Sequence, residues 1–316
     1  MKLLVTGAYG FIGSVTAKTL LERGTGDLTL VDAAAHRTRA CVRGLESLPF
    51  IGRADLPARL PGLKGFDGVL HLGACTDTGQ SDLAYLEQWN TEYTRQIFRW
   101  CAATGTPLVY ASSAATYGTG QQGYSDDHAG LSALAPLNPY GRSKHALDLW
   151  AVDQRETPPG WWGIKFFNVY GHGEAHKGRM ASTIFHGYAE IMKTGAMTLF
   201  KSHRPDIPDG QQKRDFIHVD DVVALCLSCL DRRPPSGIYN CGTGLARPFL
   251  DVAHAIFKAL GKPPKIGWTP TPEKYRSGYQ YFTEADMTKS RHAGLAKPLI
   301  TVESGVAQYV KSLQAD

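Results

Sequence analysis

No apolar run in this 316-residue chain approaches the ~20 residues that a membrane-spanning helix needs. The opening Met1-Lys2-Leu3-Leu4-Val5 stops at Thr6-Gly7, too soon for the apolar region of a signal peptide. A cytoplasmic protein with no membrane partner is therefore expected. Charge of one sign is also scarce. The 34 basic and 29 acidic residues leave a net charge of +5. That balance suits an anionic small molecule and is too diffuse for a nucleic-acid footprint. Of the six cysteines, only Cys226 and Cys229 stand at metal-ligand spacing. A zinc site would want a second pair or suitably spaced histidines, and none is evident, so reduced, buried thiols and no metal are expected. No repeat or low-complexity tract appears. With 43% hydrophobic and 20% charged residues, the composition fits a soluble globular enzyme.

What is present is an alternation of strand and helix. Residues 2–6, 28–32, 67–72, 108–111 and 163–167 read as short buried strands. Helix-length stretches cover 11–23, 82–103 and 139–156, and a further strand is expected near Phe50-Ile51. This rhythm predicts an α/β fold, a Rossmann-type doubly wound parallel sheet with helices on both faces. Beyond residue 171 the pattern is irregular up to 215. A helix at 220–230, a strand at 238–240 and a helix at 250–260 follow. Residues 1–170, with about 214–240, are expected to form the dinucleotide-binding domain. A smaller, mostly C-terminal substrate lobe would take about 171–213 and 241–316.

Thr6-Gly7-Ala8-Tyr9-Gly10-Phe11-Ile12-Gly13 follows the first strand and opens the first helix. Glycines there permit a tight turn and close backbone approach to a pyrophosphate at the helix N-terminus. Asp32, about 20 residues on at the end of the second strand, is placed to bind ribose hydroxyls, which favours NAD. Arg37, Arg39 and Arg43 lie just beyond, and an arginine there would hold the 2′-phosphate of NADP. Spacing alone leaves both cofactors open. Tyr140 and Lys144, four apart, share one helical face. A nearby ammonium lowers a tyrosine pKa, which would let Tyr140 move a proton to or from a substrate hydroxyl. The same spacing also occurs on many solvated helix faces.

With the glycine loop, Ser112-Ser113 after a strand, and Tyr140 and Lys144 on the following helix, the chain resembles the extended short-chain dehydrogenase/reductases, in particular the nucleotide-sugar epimerases and dehydratases. The resemblance implies that Ser113 and Tyr140 bind the hydroxyl being oxidised. Lys144 would bind the nicotinamide ribose and lower the tyrosine pKa. Several segments are similar to one branch, the ADP-glycero-manno-heptose 6-epimerases. They include residues 71–76, 110–118, 167–171 and 279–286, and above all His176-Lys177-Gly178-Arg179-Met180-Ala181-Ser182. That likeness implies inversion of C6″ by transient oxidation to an aldehyde and re-reduction with bound NADP, NAD being the alternative. It implies Lys177 as the second acid/base, since one proton shuttle cannot easily serve both faces of the carbon. It also implies a homo-oligomer with a nucleotide-sugar substrate.

By the same resemblance Gly7, Gly10, Phe11, Ile12, Gly13, Asp32, Ala33, Arg39, Leu72, Gly73, Ala74, Cys75, Thr76, Asn90, Tyr140, Lys144, Val169 and Lys177 would hold the cofactor. The substrate would meet Ser113, Asn168, Arg179, His186, Phe200, Lys201, Ser202, His203, Arg214 and Tyr279, with Arg214 and Lys201 suited to the diphosphate. Arg179 replaces a small serine of the pattern, and the loop 200–210 is longer than its counterpart. Ala114 and Ala115 stand where 4,6-dehydratases carry an Asp-Glu pair, so water elimination is discounted. A UDP-sugar 4-epimerase would need only Ser113, Tyr140 and Lys144, and would leave Lys177 without a role. A non-catalytic dinucleotide-binding protein on the same fold is the reading from another class.

Overall fold

The computed structural model describes residues 1–276 and 279–315, apart from the side chains of Lys274 and Tyr275. Seven strands form one parallel sheet: β1 (Lys2–Thr6), β2 (Asp27–Asp32), β3 (Phe50–Gly52), β4 (Gly68–His71), β5 (Leu108–Ser113), β6 (Trp161–Phe166) and, after three strands outside this sheet, β10 (Gly237–Cys241). Their spatial order is β10-β6-β5-β4-β1-β2-β3. Such strands are covered on both faces, which is why they read as short unbroken apolar runs. The chain winds from β1 outward to β3, then returns to lay β4 on the other side of β1. The order therefore reverses between β1 and β4. In open α/β sheets ligands bind beyond the carboxyl ends of the strands at such a reversal. Two segments leave the sheet there: the glycine loop after Thr6 and residues 72–76 after His71.

The helix expected over 82–103 is interrupted. Leu83–Leu86 leads into a wider turn over Glu87–Glu92 before Tyr93–Thr104 continues. Asn90 sits in the widened turn and is fully buried. Such local widening frees side chains for functional contacts.

Residues 171–215 are more ordered than their sequence suggests. They hold a helix, Thr183–Thr194, the strand β8 (Met197–Phe200) and the start of β9 (Lys213–His218). β9 lies between β7 (Asn168–Tyr170) and β11 (Ala246–Pro248), and β8 pairs with β12 (Ile266–Thr269). The helices Phe249–Ala259 and Val302–Ala315 pack with these strands around a second apolar core that includes Ile184, Met197, Phe216, Ile256 and Val306. Ala285, Met287 and Leu295 instead join the larger core around the seven-stranded sheet. Among the described residues no helix is long and apolar enough to cross a membrane.

Candidate active site

The helix Phe11–Glu22 begins at Gly10 with no side-chain cap. Its first N–H groups, normally quenched by a capping oxygen, are left for a ligand, and the helix dipole favours an anion there. Gly7 has φ +66°, and a side chain on it would strike the Gly73 backbone at 2.6 Å. A Cβ on Gly13 would lie 2.0 Å from the Gly7 carbonyl oxygen. The loop thus closes on itself and on the segment after β4, as close approach to a pyrophosphate requires.

These residues wall a cleft of about 390 Å³. Gly7, Gly10, Phe11, Ile12, Gly13, Asp32, Arg39, Leu72, Ala74, Cys75, Thr76, Lys177 and Arg179, all singled out in the sequence, line it together. His36, Arg53, Asp77, His176 and Met180 line it too, without having been expected. Asp32 is buried, and both oxygens are engaged: it accepts from Tyr9 N–H at 2.8 Å and Ala33 N–H at 2.7 Å, and meets His36 Nδ1 at 2.6 Å. Arg39 donates to the Tyr9 carbonyl at 3.1 Å. An uncapped helix start, a glycine cradle and three guanidiniums fit a dinucleotide. Cys226 and Cys229 are buried free thiols, pushed up by burial.

Asn90 reaches the site by proxy. Its side chain accepts from Cys75 N–H at 2.8 Å and donates to the Cys75 carbonyl and to Ser143 Oγ, each at 3.1 Å. With these bonds made, it ties the loop 72–76 to the helix Pro139–Val152 and is not among the residues lining the cleft.

That helix starts cleanly: Asn138 accepts from Gly141 N–H at 2.7 Å, and Pro139 occupies its first turn. Tyr140, Lys144 and Asp148 follow at intervals of four, all buried. Ser113, at the end of β5, hydrogen-bonds Tyr140, which pulls the phenol pKa down, but burial dominates and raises it. The expected lowering by Lys144 is not found. The Lys144 ammonium donates instead to the Ala111 carbonyl at 2.8 Å. Burial brings Lys144 down to about 8, opposed by the nearby Asp148 carboxylate. Cys75, which lines the dinucleotide cleft, also acts electrostatically on both Tyr140 and Lys144.

Lys177 approaches from a different element, the turn Ala175–Met180. Its ammonium lies 5.2 Å from the centre of the Phe11 ring. Burial lowers its pKa and Glu174 partly restores it. Glu174 is fully buried and accepts from the Ser182 N–H and hydroxyl, each at 2.6 Å, which closes the turn. Arg179, expected against the substrate, pairs with Asp77 at 2.6 Å, and both residues line the dinucleotide cleft.

The remaining substrate candidates fall into two groups. Arg214 is buried and forms no ion pair among the described residues. The neighbouring Asp215 carboxylate is spent on Thr243, Gly244 and Ala285 N–H groups. The Arg214 guanidinium lies between the Phe249 and Tyr279 rings, at 5.6 and 5.5 Å. Tyr279 packs edge-on against His203 and Tyr281, and Tyr281 Oη meets His203 Nδ1 at 2.9 Å. Gln280 donates to the Gly118 carbonyl, which joins this aromatic group to the turn after Ser113. Ser202 also touches Tyr281, through its hydroxyl at 3.3 Å. By contrast His186, Phe200, Lys201 and Asn168 are exposed, and Ala33, Gly73 and Val169 are not among the residues lining the cleft.

The NAD dependent epimerase/dehydratase family model matches residues 3–242. An ADP-L-glycero-D-manno-heptose-6-epimerase of Fusobacterium nucleatum subsp. nucleatum is 40% identical, over 99% of this chain and 98% of the relative. The crystal structure of the Helicobacter pylori ADP-L-glycero-D-manno-heptose-6-epimerase shares the fold, with a TM-score of 0.82 and 24% identity over 100% of this chain and 96% of that one. MoeE5 in complex with UDP-glucuronic acid and NAD has a TM-score of 0.79 and 26% identity, over 100% of this chain and 99% of that one. A family match across three quarters of the sequence, and 40% identity along its whole length, reach beyond a shared fold: the chain belongs to the NAD dependent epimerase/dehydratase family.

Proposed function

We propose that the chain inverts C6″ of ADP-glycero-manno-heptose, with NADP as its resident cofactor. The observation that carries this reading is Lys177, a half-buried ammonium against Phe11 in the dinucleotide cleft, on a different element from Tyr140. Inversion asks for a proton carrier on each face of the reacting carbon, and two such groups on separate segments are what the chemistry needs. The 40% identity to curated ADP-heptose 6-epimerases supports the same sugar.

The bound dinucleotide supplies reversible oxidation of the C6″ alcohol to an aldehyde. Ser113 orients the hydroxyl, and Tyr140 takes its proton. Lys144, which donates to the Ala111 carbonyl, would hold the nicotinamide ribose and, once ordered by it, bring its charge to that phenol. Lys177 exchanges the proton of the opposite epimer; its lowered pKa suits that task. Arg214, buried with no counter-ion among the described residues, receives the diphosphate. Arg39 and Arg53 in the cleft, and an Asp32 carboxylate already engaged by backbone N–H groups, favour NADP over NAD. The two cores support a division into dinucleotide and substrate lobes, with residues 285–295 counted with the former.

The test is epimerisation of ADP-D-glycero-D-manno-heptose, followed by nuclear magnetic resonance, for wild type and Lys177→Met. Loss of about 100-fold or more in kcat is expected, the usual scale for removing a general acid/base. Near wild-type turnover by the variant would sink the two-base assignment. Interconversion of UDP-glucose and UDP-galactose, with ADP-heptose ignored, would make the chain a 4-epimerase.

A further inference from the structure

β6 is apolar except for one residue, Lys165, which is fully buried although β6 is the second strand from the sheet edge. Its ammonium meets the Asp148 carboxylate at 3.0 Å, with both side chains excluded from solvent. It also donates to Thr116 Oγ1 at 2.6 Å and lies 4.8 Å from the Tyr117 ring centre. The carboxylate accepts further from Ser112 Oγ at 2.7 Å and Tyr110 Oη at 3.2 Å. A buried pair of this kind is weak evidence for stability, because desolvation consumes much of the attraction, and apolar replacements often serve as well. Something else should account for a charge placed there.

The position of Asp148 suggests what. It stands one helical turn beyond Lys144 and two beyond Tyr140, on the same buried face. Its bonds to Tyr110 and Ser112 lock that helix to β5, whose next residue is Ser113. One carboxylate thus holds the register between the serine and the tyrosine–lysine pair. The groups facing Lys144 are few: Asp148 from its own helix, Cys75 from the segment after β4, and the His71 imidazole from β4. Burial keeps His71 neutral, down to about 3, and Thr6 and Thr94 occupy its two nitrogens at 2.6 and 2.9 Å. Asp148 is therefore the carboxylate available to hold a proton on Lys144.

We propose that Asp148 is a positioning residue for the redox site, holding the Tyr140 helix in register with Ser113 and keeping Lys144 charged, with Lys165 as its buried partner. This rests on the assignment of Tyr140 and Lys144 above. Asp148→Asn keeps the shape and one of the two acceptor oxygens, the other hydroxyl turning to accept from the amide, but removes the charge, so Lys144 gives up its proton at lower pH. The alkaline limb of kcat should move down by about one pH unit, the low end of what an adjacent opposite charge contributes, with KM for the sugar little changed.

Three variants separate positioning from packing: Asp148→Asn, Lys165→Met, and the two combined. The double variant should regain the thermal stability lost in Asp148→Asn, since no unpaired ammonium remains, yet keep the displaced pH profile. Lys165→Met alone should be destabilised without moving the limb downward. A double variant with both stability and the wild-type profile would overturn the proposal, as would a limb that moves down equally in Lys165→Met. NADPH affinity against pH, read by cofactor fluorescence, gives a second measure of the Lys144 charge. If the wild type turns over no heptose substrate, the function reading fails, and this binding limb alone decides the role of Asp148: displaced in Asp148→Asn it stands, unmoved it falls.

Discussion

Tyr140 is the residue whose behaviour differs most from its sequence reading. A lysine four positions on suggests a depressed phenol pKa, but the Lys144 ammonium is turned to the Ala111 carbonyl and burial raises Tyr140. Before ligands arrive the phenol is therefore protonated at neutral pH, and on the proposed function a bound dinucleotide and the ordered lysine would complete its activation. Replacing Tyr140 with Phe should lower kcat by roughly 10²–10⁴-fold. NADPH affinity should stay close to wild type, because the cleft walls are untouched. A parallel loss of cofactor binding in a fluorescence titration would mean that Tyr140 shapes the cleft rather than moving a proton.

At the scale of elements, the site is assembled by joints between segments far apart in sequence. Asn90 is the clearest: one amide clamps both backbone groups of Cys75 and the Ser143 hydroxyl. Asn90→Ala would leave the partly buried Cys75 N–H without this acceptor, at a cost toward the low end of about 1–3 kcal/mol. The loop 72–76 would loosen with it. Thermal denaturation should show the loss, and the dissociation constant for NADPH should rise by about tenfold; an unchanged constant would detach Asn90 from cofactor binding. Such joints explain what could be read in advance. The parallel sheet, the glycine loop and the Tyr140 helix announce themselves through local pattern: buried apolar strands, glycines at a strand end, a spacing of four. Asp148 continues that spacing and Lys165 interrupts an apolar strand, so this pair was legible as a charge needing a partner. The helix Thr183–Thr194 also carried end signals, Ser182 capping Phe185 N–H at 3.2 Å and Gly195 at φ +76°. Its buried face uses Ile184, Gly187 and Ile191, too sparse a stripe to stand out. Glu174 and Arg53 had no local signal, because their partners are set by tertiary contacts alone.

Across the whole molecule, the cleft is bordered by segments about 100 residues apart, and one ion pair joins them. Arg179 on the turn that carries Lys177 meets Asp77 on the segment following β4, at 2.6 Å, with Arg179 largely and Asp77 partly open to water. An exposed pair of this kind adds little stability, about 0–1 kcal/mol, and is screened by salt. Its expected effect is on the rate of cofactor release. NADPH release should quicken as ionic strength rises, and Arg179→Ala should be fast at any salt concentration; stopped-flow displacement measures both. A salt-independent release rate would show that the pair does not govern exit. An enzyme that only borrows electrons within one turnover gains from such a latch. On the proposed function, the reducing equivalent taken from one substrate would stay behind the bolt until it is returned to the same molecule, and the redox cycle would close without drawing on a pool of free cofactor.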